Sequence, residues 1–136
     1  NGGKMSKSAN NVINIFLDDK ALRKQIMSIE TDSTPLEDPK NPETCNAFAI
    51  YKLLASESEI EIMKANYLGG NYGYGHAKQA LFELIVEKFK TERAQYNYYI
   101  NNLTEVDELL RKGAQKASSV ANGVLSKVRA KLGFEN

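Results

Sequence analysis

With one cysteine, Cys45, the 136-residue chain cannot form an internal disulfide, and such sparse use of cysteine fits a reducing compartment. One histidine and one cysteine leave too few ligands for a structural zinc site, which takes about four. Three prolines and nine glycines exclude collagen and low-complexity disorder. The longest apolar runs, around residues 13–17 and 84–86, fall far short of a membrane span, and no leader sequence is expected. No strand-like alternation of useful length and no repeat is visible. Eighteen basic against seventeen acidic residues give a net charge of +1, so no global field of one sign marks a nucleic-acid protein. The opening Asn1-Gly2-Gly3-Lys4 has the character of a loop met in mid-chain, and the chain is expected to be a piece of a longer protein.

What is present is helical periodicity. Asp18 or Asp19 is placed to cap a helix over 20–29, in which Leu22, Ile26 and Ile29 share a face. All three prolines fall in a loop over 31–42. A second helix is expected over 43–55. Ser56 and Glu59 make a capping box for a third, which runs to about residue 67. Four glycines between 69 and 75 predict a turn, followed by one long helix over 76–101 with Phe82, Ile85, Val86, Phe89, Tyr96 and Ile100 along one stripe. Thr104 is the expected cap of a last helix, bent or broken at Gly113 and ended by Gly133. The fold class is therefore all-α, a bundle of about four to five helices. Its core is expected where the stripes of 82–100 and 109–132 meet each other and residues 48–54.

The sharpest chemical signal is Lys4-Met5-Ser6-Lys7-Ser8. Two lysines among small hydroxyl residues, after Gly2-Gly3, form a cationic loop able to meet polyphosphate oxygens as negative charge develops. A Cys45–His76 nucleophile–base pair is the weaker alternative, because no third residue orients it; Cys45 fits a small packed hydrophobe and His76 a helix start. The glycines at 69, 70, 73 and 75 do not spell the dinucleotide fingerprint.

Residues 4–8 match, letter for letter, the second signature of the class I aminoacyl-tRNA synthetases, with Asn11 where that signature is often extended by asparagine. Asp18-Asp19, Thr31-Asp32-Ser33, the run from Tyr74 to Lys78 and the run from Gly113 to Ala117 follow in family order. Across residues 3–134 the chain resembles the tryptophanyl-tRNA synthetase family, departing at Ala9, where an acid is common. The resemblance implies ATP bound by Lys4, Met5, Ser6, Lys7 and Ser8, with Lys7 and Lys4 as catalytic cations and Asn11 capping the turn at the loop's base. It implies magnesium carried by the nucleotide phosphates with no protein metal ligand. It also implies L-tryptophan and tRNA(Trp) as partners, no membrane, a cytoplasmic setting and a homodimeric parent.

The parent would add a Rossmann-type α/β half with the other class I signature and the amino-acid pocket. In this chain, 1–17 would be the signature loop and its connection, and 18–136 the anticodon-binding bundle. The isolated chain would then be inactive. Six basic residues, Arg111, Lys112, Lys116, Lys127, Arg129 and Lys131, occur with no acid between 111 and 131. With Tyr98, placed opposite its helix's apolar stripe, they are the candidate RNA contacts. A tyrosyl-type relative and a non-catalytic helical RNA-binding module are the alternatives.

Overall fold

The computed structural model describes residues 3–9 and 11–134. The Gly2 that precedes the signature lies outside the described residues. Six α-helices appear among them: α1 (Asp19–Met27), α2 (Asn46–Lys52), α3 (Glu57–Gly69), α4 (Tyr74–Lys88), α5 (Lys90–Asn101) and α6 (Leu103–Lys131). A 3-10 turn, Pro42–Thr44, precedes α2. The chain forms two compact units, Asn1–Arg93 and Ala94–Asn136.

Short-range sequence signals fix the early helix starts. Asp18 accepts the Ala21 backbone N–H at 2.9 Å and caps α1. Ser56 and Glu59 close the capping box of α3 reciprocally, the Ser56 N–H donating to the Glu59 carboxylate at 2.8 Å. Pro42 starts the 3-10 turn because its ring presets φ and its missing N–H costs nothing there. That shortens the second helix to Asn46–Lys52. The glycine turn is also shorter than expected, since Gly69 ends α3 and Gly75 lies inside α4. Gly70 does require glycine: its φ is +73°, and a Cβ would stand 2.5 Å from the Glu37 carbonyl oxygen.

The core of the first unit is built from α1 and α2 packed on α4, with α3 closing it. Leu22 and Ile26 of α1, Phe48 of α2, Tyr67 of α3, and Leu81 and Ile85 of α4 are fully or almost fully buried. Ile13, Ile15 and Leu17 pack on the same core while Asn14 and Phe16 face outward, so an extended segment leads from the signature loop into α1. Its alternation carries no strand partner and spans five residues, too few to register as a strand in the sequence.

Three expectations for the second half are corrected. The helix over 76–101 is interrupted at Phe89, whose φ of −105° and ψ of 20° leave helical geometry before α5 begins. α6 starts at Leu103, two residues earlier than a Thr104 cap would place it. Asn102 is its N-cap residue, and the Asn102 side chain donates instead to the Tyr98 carbonyl. α6 then runs through Gly113 without a break and ends, as expected, with Gly133 at φ +77°. The third correction concerns the core. No described residue of α5 or α6 is buried; Tyr96, expected inside, is 40% exposed, and Val120 and Val128 are 67% and 46% exposed. The first part of the 82–100 stripe does join the core, with Ile85 buried and Phe82, Val86 and Phe89 packed on it. None of the described residues from 96 to 132 is buried, so the expected meeting of the two stripes does not make the core.

Candidate functional site

The signature loop is a turn over residues 7–9 held by its own hydroxyls. The Ala9 N–H donates to Ser6 Oγ at 3.1 Å, and Ser6 Oγ lies 3.3 Å from Ser8 Oγ. Lys4, Met5, Lys7 and Ser8 are exposed and Ser6 is half-buried. Two ammonium groups on one exposed, hydroxyl-stitched turn suit an anion that approaches from solvent or from another polypeptide surface. The Asn11 side chain reaches back to the loop and bonds the backbone of both Ser6 and Lys4.

Behind the loop, its connection is fastened to the helices. The Asn14 N–H donates to Gln25 of α1 at 2.8 Å. Arg93 at the start of α5 donates to the Ile15 carbonyl and pairs with Asp19. A cleft of about 380 Å³ lies between the loop base and the helices, lined by Gly3, Ala9 and Asn11 on one side and Gln25, Asn46 and Leu53 on the other. Its described lining contains no lysine or arginine, so it lacks the charge to hold a polyphosphate.

A second constellation surrounds the Thr31-Asp32-Ser33 segment. Tyr74 donates its hydroxyl proton to Asp32 at 2.6 Å, and the Thr34 N–H donates to the same oxygen at 2.9 Å. Hydrogen bonds from Thr34 and Tyr74 hold the Asp32 carboxyl below its ordinary range. Burial, then the bond to Asp32, pushes the Tyr74 hydroxyl up to about 12. Lys40 is buried, and its ammonium donates to the carbonyls of Pro35, Leu36 and Asp38 at 2.7, 3.2 and 3.0 Å. All three donors are used on one loop, and the cation also lies 5.6 Å from the Tyr74 ring centroid. Sequence reasoning passed over Lys40, although a lysine between Pro39 and Pro42 in an otherwise acidic loop is the available signal.

Cys45 and His76 each meet a tyrosine. Cys45 is buried with its Sγ 3.2 Å from the Tyr67 hydroxyl, whose pKa is raised by burial and by that bond. His76 sits in the first turn of α4 with its ring beside Tyr72.

The RNA candidates are all exposed and, Tyr98 apart, all lie on α6. Tyr98 is 52% exposed, donates its hydroxyl proton to Glu105 at 2.6 Å and meets Tyr99 edge-on. That bond raises the Tyr98 pKa. At 3.6 residues per turn, Lys116 and Lys127 share one line, about 16 Å apart along the axis. Arg111 and Arg129 share another line, roughly 150° around the helix. Lys112 and Lys131 flank the lysine line, so the six bases make two rows.

The family model described as "tRNA synthetases class I (W and Y)" matches residues 1–90. The chain belongs to that class I tRNA synthetase family. Over 133 residues it is 45% identical to the tryptophan--tRNA ligase of Campylobacter jejuni strain RM1221, covering 98% of this chain and 42% of that relative. It is 42% identical to the tryptophan--tRNA ligase of Rhodopirellula baltica, again over 42% of that relative. A crystal structure of tryptophanyl-tRNA synthetase from Campylobacter jejuni superposes with a TM-score of 0.93 at 45% identity, covering 97% of this chain and 43% of that one. A second structure of the same enzyme, complexed with ADP and tryptophan, superposes equally well. The chain thus spans less than half the length of these relatives.

Proposed function

We propose that this chain supplies the ATP loop and the tRNA-facing helices of a tryptophan--tRNA ligase. The observation that carries the reading is the exposed Lys4–Lys7 turn, in a chain that matches tryptophan-named relatives from end to end. One of the matched structures holds ADP and tryptophan. In the proposed reaction the tryptophan carboxylate attacks the α-phosphorus of ATP. The bond from that phosphorus to the bridging oxygen breaks, giving tryptophanyl adenylate and pyrophosphate. Lys7, assisted by Lys4, neutralises the charge that builds on the leaving pyrophosphate. A contact strongest in the transition state raises turnover more than it tightens ATP binding. A terminal ribose hydroxyl of tRNA(Trp) then attacks the carbonyl of the adenylate, forming the aminoacyl ester and releasing AMP.

Magnesium travels with the nucleotide phosphates. No protein ligand is assigned to it and no step runs through it. Tyr98 and the basic rows of α6 are assigned to tRNA, the parent is read as a homodimer, and the setting as the cytoplasm. No helix among the described residues is long and apolar enough to cross a membrane. The family description covers tryptophan and tyrosine enzymes alike, and the tryptophan-named relatives favour the first over a tyrosyl-type enzyme. Exchange of labelled pyrophosphate into ATP by the complete enzyme tests the reading. Dependence on tryptophan is expected, and dependence on tyrosine would replace it.

A further inference from the structure

The signature turn is held from outside the five-residue string. Asn11 Oδ1 accepts the Ser6 backbone N–H at 2.8 Å, and Asn11 Nδ2 donates to the Lys4 carbonyl at 3.1 Å. A carboxamide carries an acceptor and a donor on one rigid plane; a carboxylate could make the first bond and not the second. The two bonds fix the backbone on both sides of Met5 and leave Lys7 one residue beyond the second anchor. Ser6 Oγ, receiving the Ala9 N–H, closes the turn beyond Lys7. Asn11 is itself half-buried, at the start of the segment that Gln25 and Arg93 fasten to the first unit.

Lysine stems are long and exposed here, so the fold controls chiefly where their backbone begins. We propose that Asn11 is a positioning residue for Lys4 and Lys7, its carboxamide setting the path of loop 4–8 from which both ammonium groups reach the pyrophosphate oxygens. The proposal rests on the reading of the loop given under Proposed function.

The test is a double-mutant cycle in the complete enzyme, reading tryptophan-dependent pyrophosphate exchange. Asn11→Ala should lower kcat about tenfold to a hundredfold, the scale of a misplaced catalytic group, with the KM for tryptophan unchanged. Asn11→Asp should not rescue it, because its second oxygen would face the Lys4 carbonyl. Lys7→Ala should cost clearly less in the Asn11→Ala background than in the wild type, since residues acting as one unit are not additive. Fully additive losses, an unchanged kcat, or a loss that tracks a lowered melting temperature would overturn the proposal alone. Wild-type enzyme without tryptophan-dependent exchange would overturn the functional reading and the proposal with it.

Discussion

Residues 19–88 and residues 103–131 are both helical and both periodic in their apolar residues, yet among the described residues every buried side chain falls in the first set. In the first, four helices converge, and each stripe meets another. In the second, Leu109, Val124, Leu125 and Leu132 stay about half exposed or more on a helix of 29 residues. Periodicity therefore announces a face that helix formation creates, and burial depends on which partner that face meets. The same contrast separates the two groups of charge. Lys40 and Arg93 spend their donors inside the first unit, on carbonyls and, for Arg93, on Asp19, and serve the fold. The bases of α6 are exposed along the helix.

The largest effect should come from breaking the packed unit. Leu81→Ala empties a fully buried site, and denaturant unfolding should show a loss of about 2–5 kcal/mol. Leu125→Ala, nearly half exposed on α6, should cost roughly 0.5 kcal/mol or less. Equal losses would erase the distinction between the regions.

Lys40→Ala strands three carbonyls of the proline loop and should cost about 1–3 kcal/mol. Lys40→Met, which keeps the apolar stem, should recover only part of that loss. Full recovery would show that the stem's packing matters more than its donors.

The two basic rows of α6 can be separated by tRNA binding. Each phosphate contact contributes roughly −0.7 to −0.9 to the slope of log K against log salt, so two or three contacts give a slope of about −2. Charge reversal of Lys116 and Lys127 should flatten that slope, and reversal of Arg111 and Arg129 should change it less, because the lysine row has Lys112 and Lys131 beside it. Identical slopes for both variants and the wild type would mark α6 as merely solvated.

Smallest is a gain. Gly123 lies inside α6 with open space around its missing Cβ, so Gly123→Ala should stabilise the helix by about 0.5–1 kcal/mol. A loss would mean that something in solution packs where the structure leaves room.

How much of this could be read from the sequence follows the range of the interaction. The Asp18 cap and the Ser56–Glu59 box lie within four residues of what they bind, and the sequence shows both directly. The signature loop is legible as a string of residues. Its fastening is not, because Arg93 reaches Ile15 across 78 residues, and Asn11 finds Lys4 only once the turn has formed. Burial of Lys40 depends on a loop folding back on three of its own carbonyls, which no spacing announces. The expected core failed for a related reason: two stripes of matching period looked like partners, and no described residue of the second is buried.

In the proposed function, loop 4–8 stabilises the charge leaving ATP during tryptophan activation. Single-turnover adenylate formation by the complete enzyme carrying Lys7→Ala tests it most directly. The expected rate is lower by about a hundredfold to a thousandfold, the cost of losing one preorganised charge-stabilising donor, with ATP affinity nearly unchanged. A wild-type rate, or a loss seen only in ATP affinity, would contradict it.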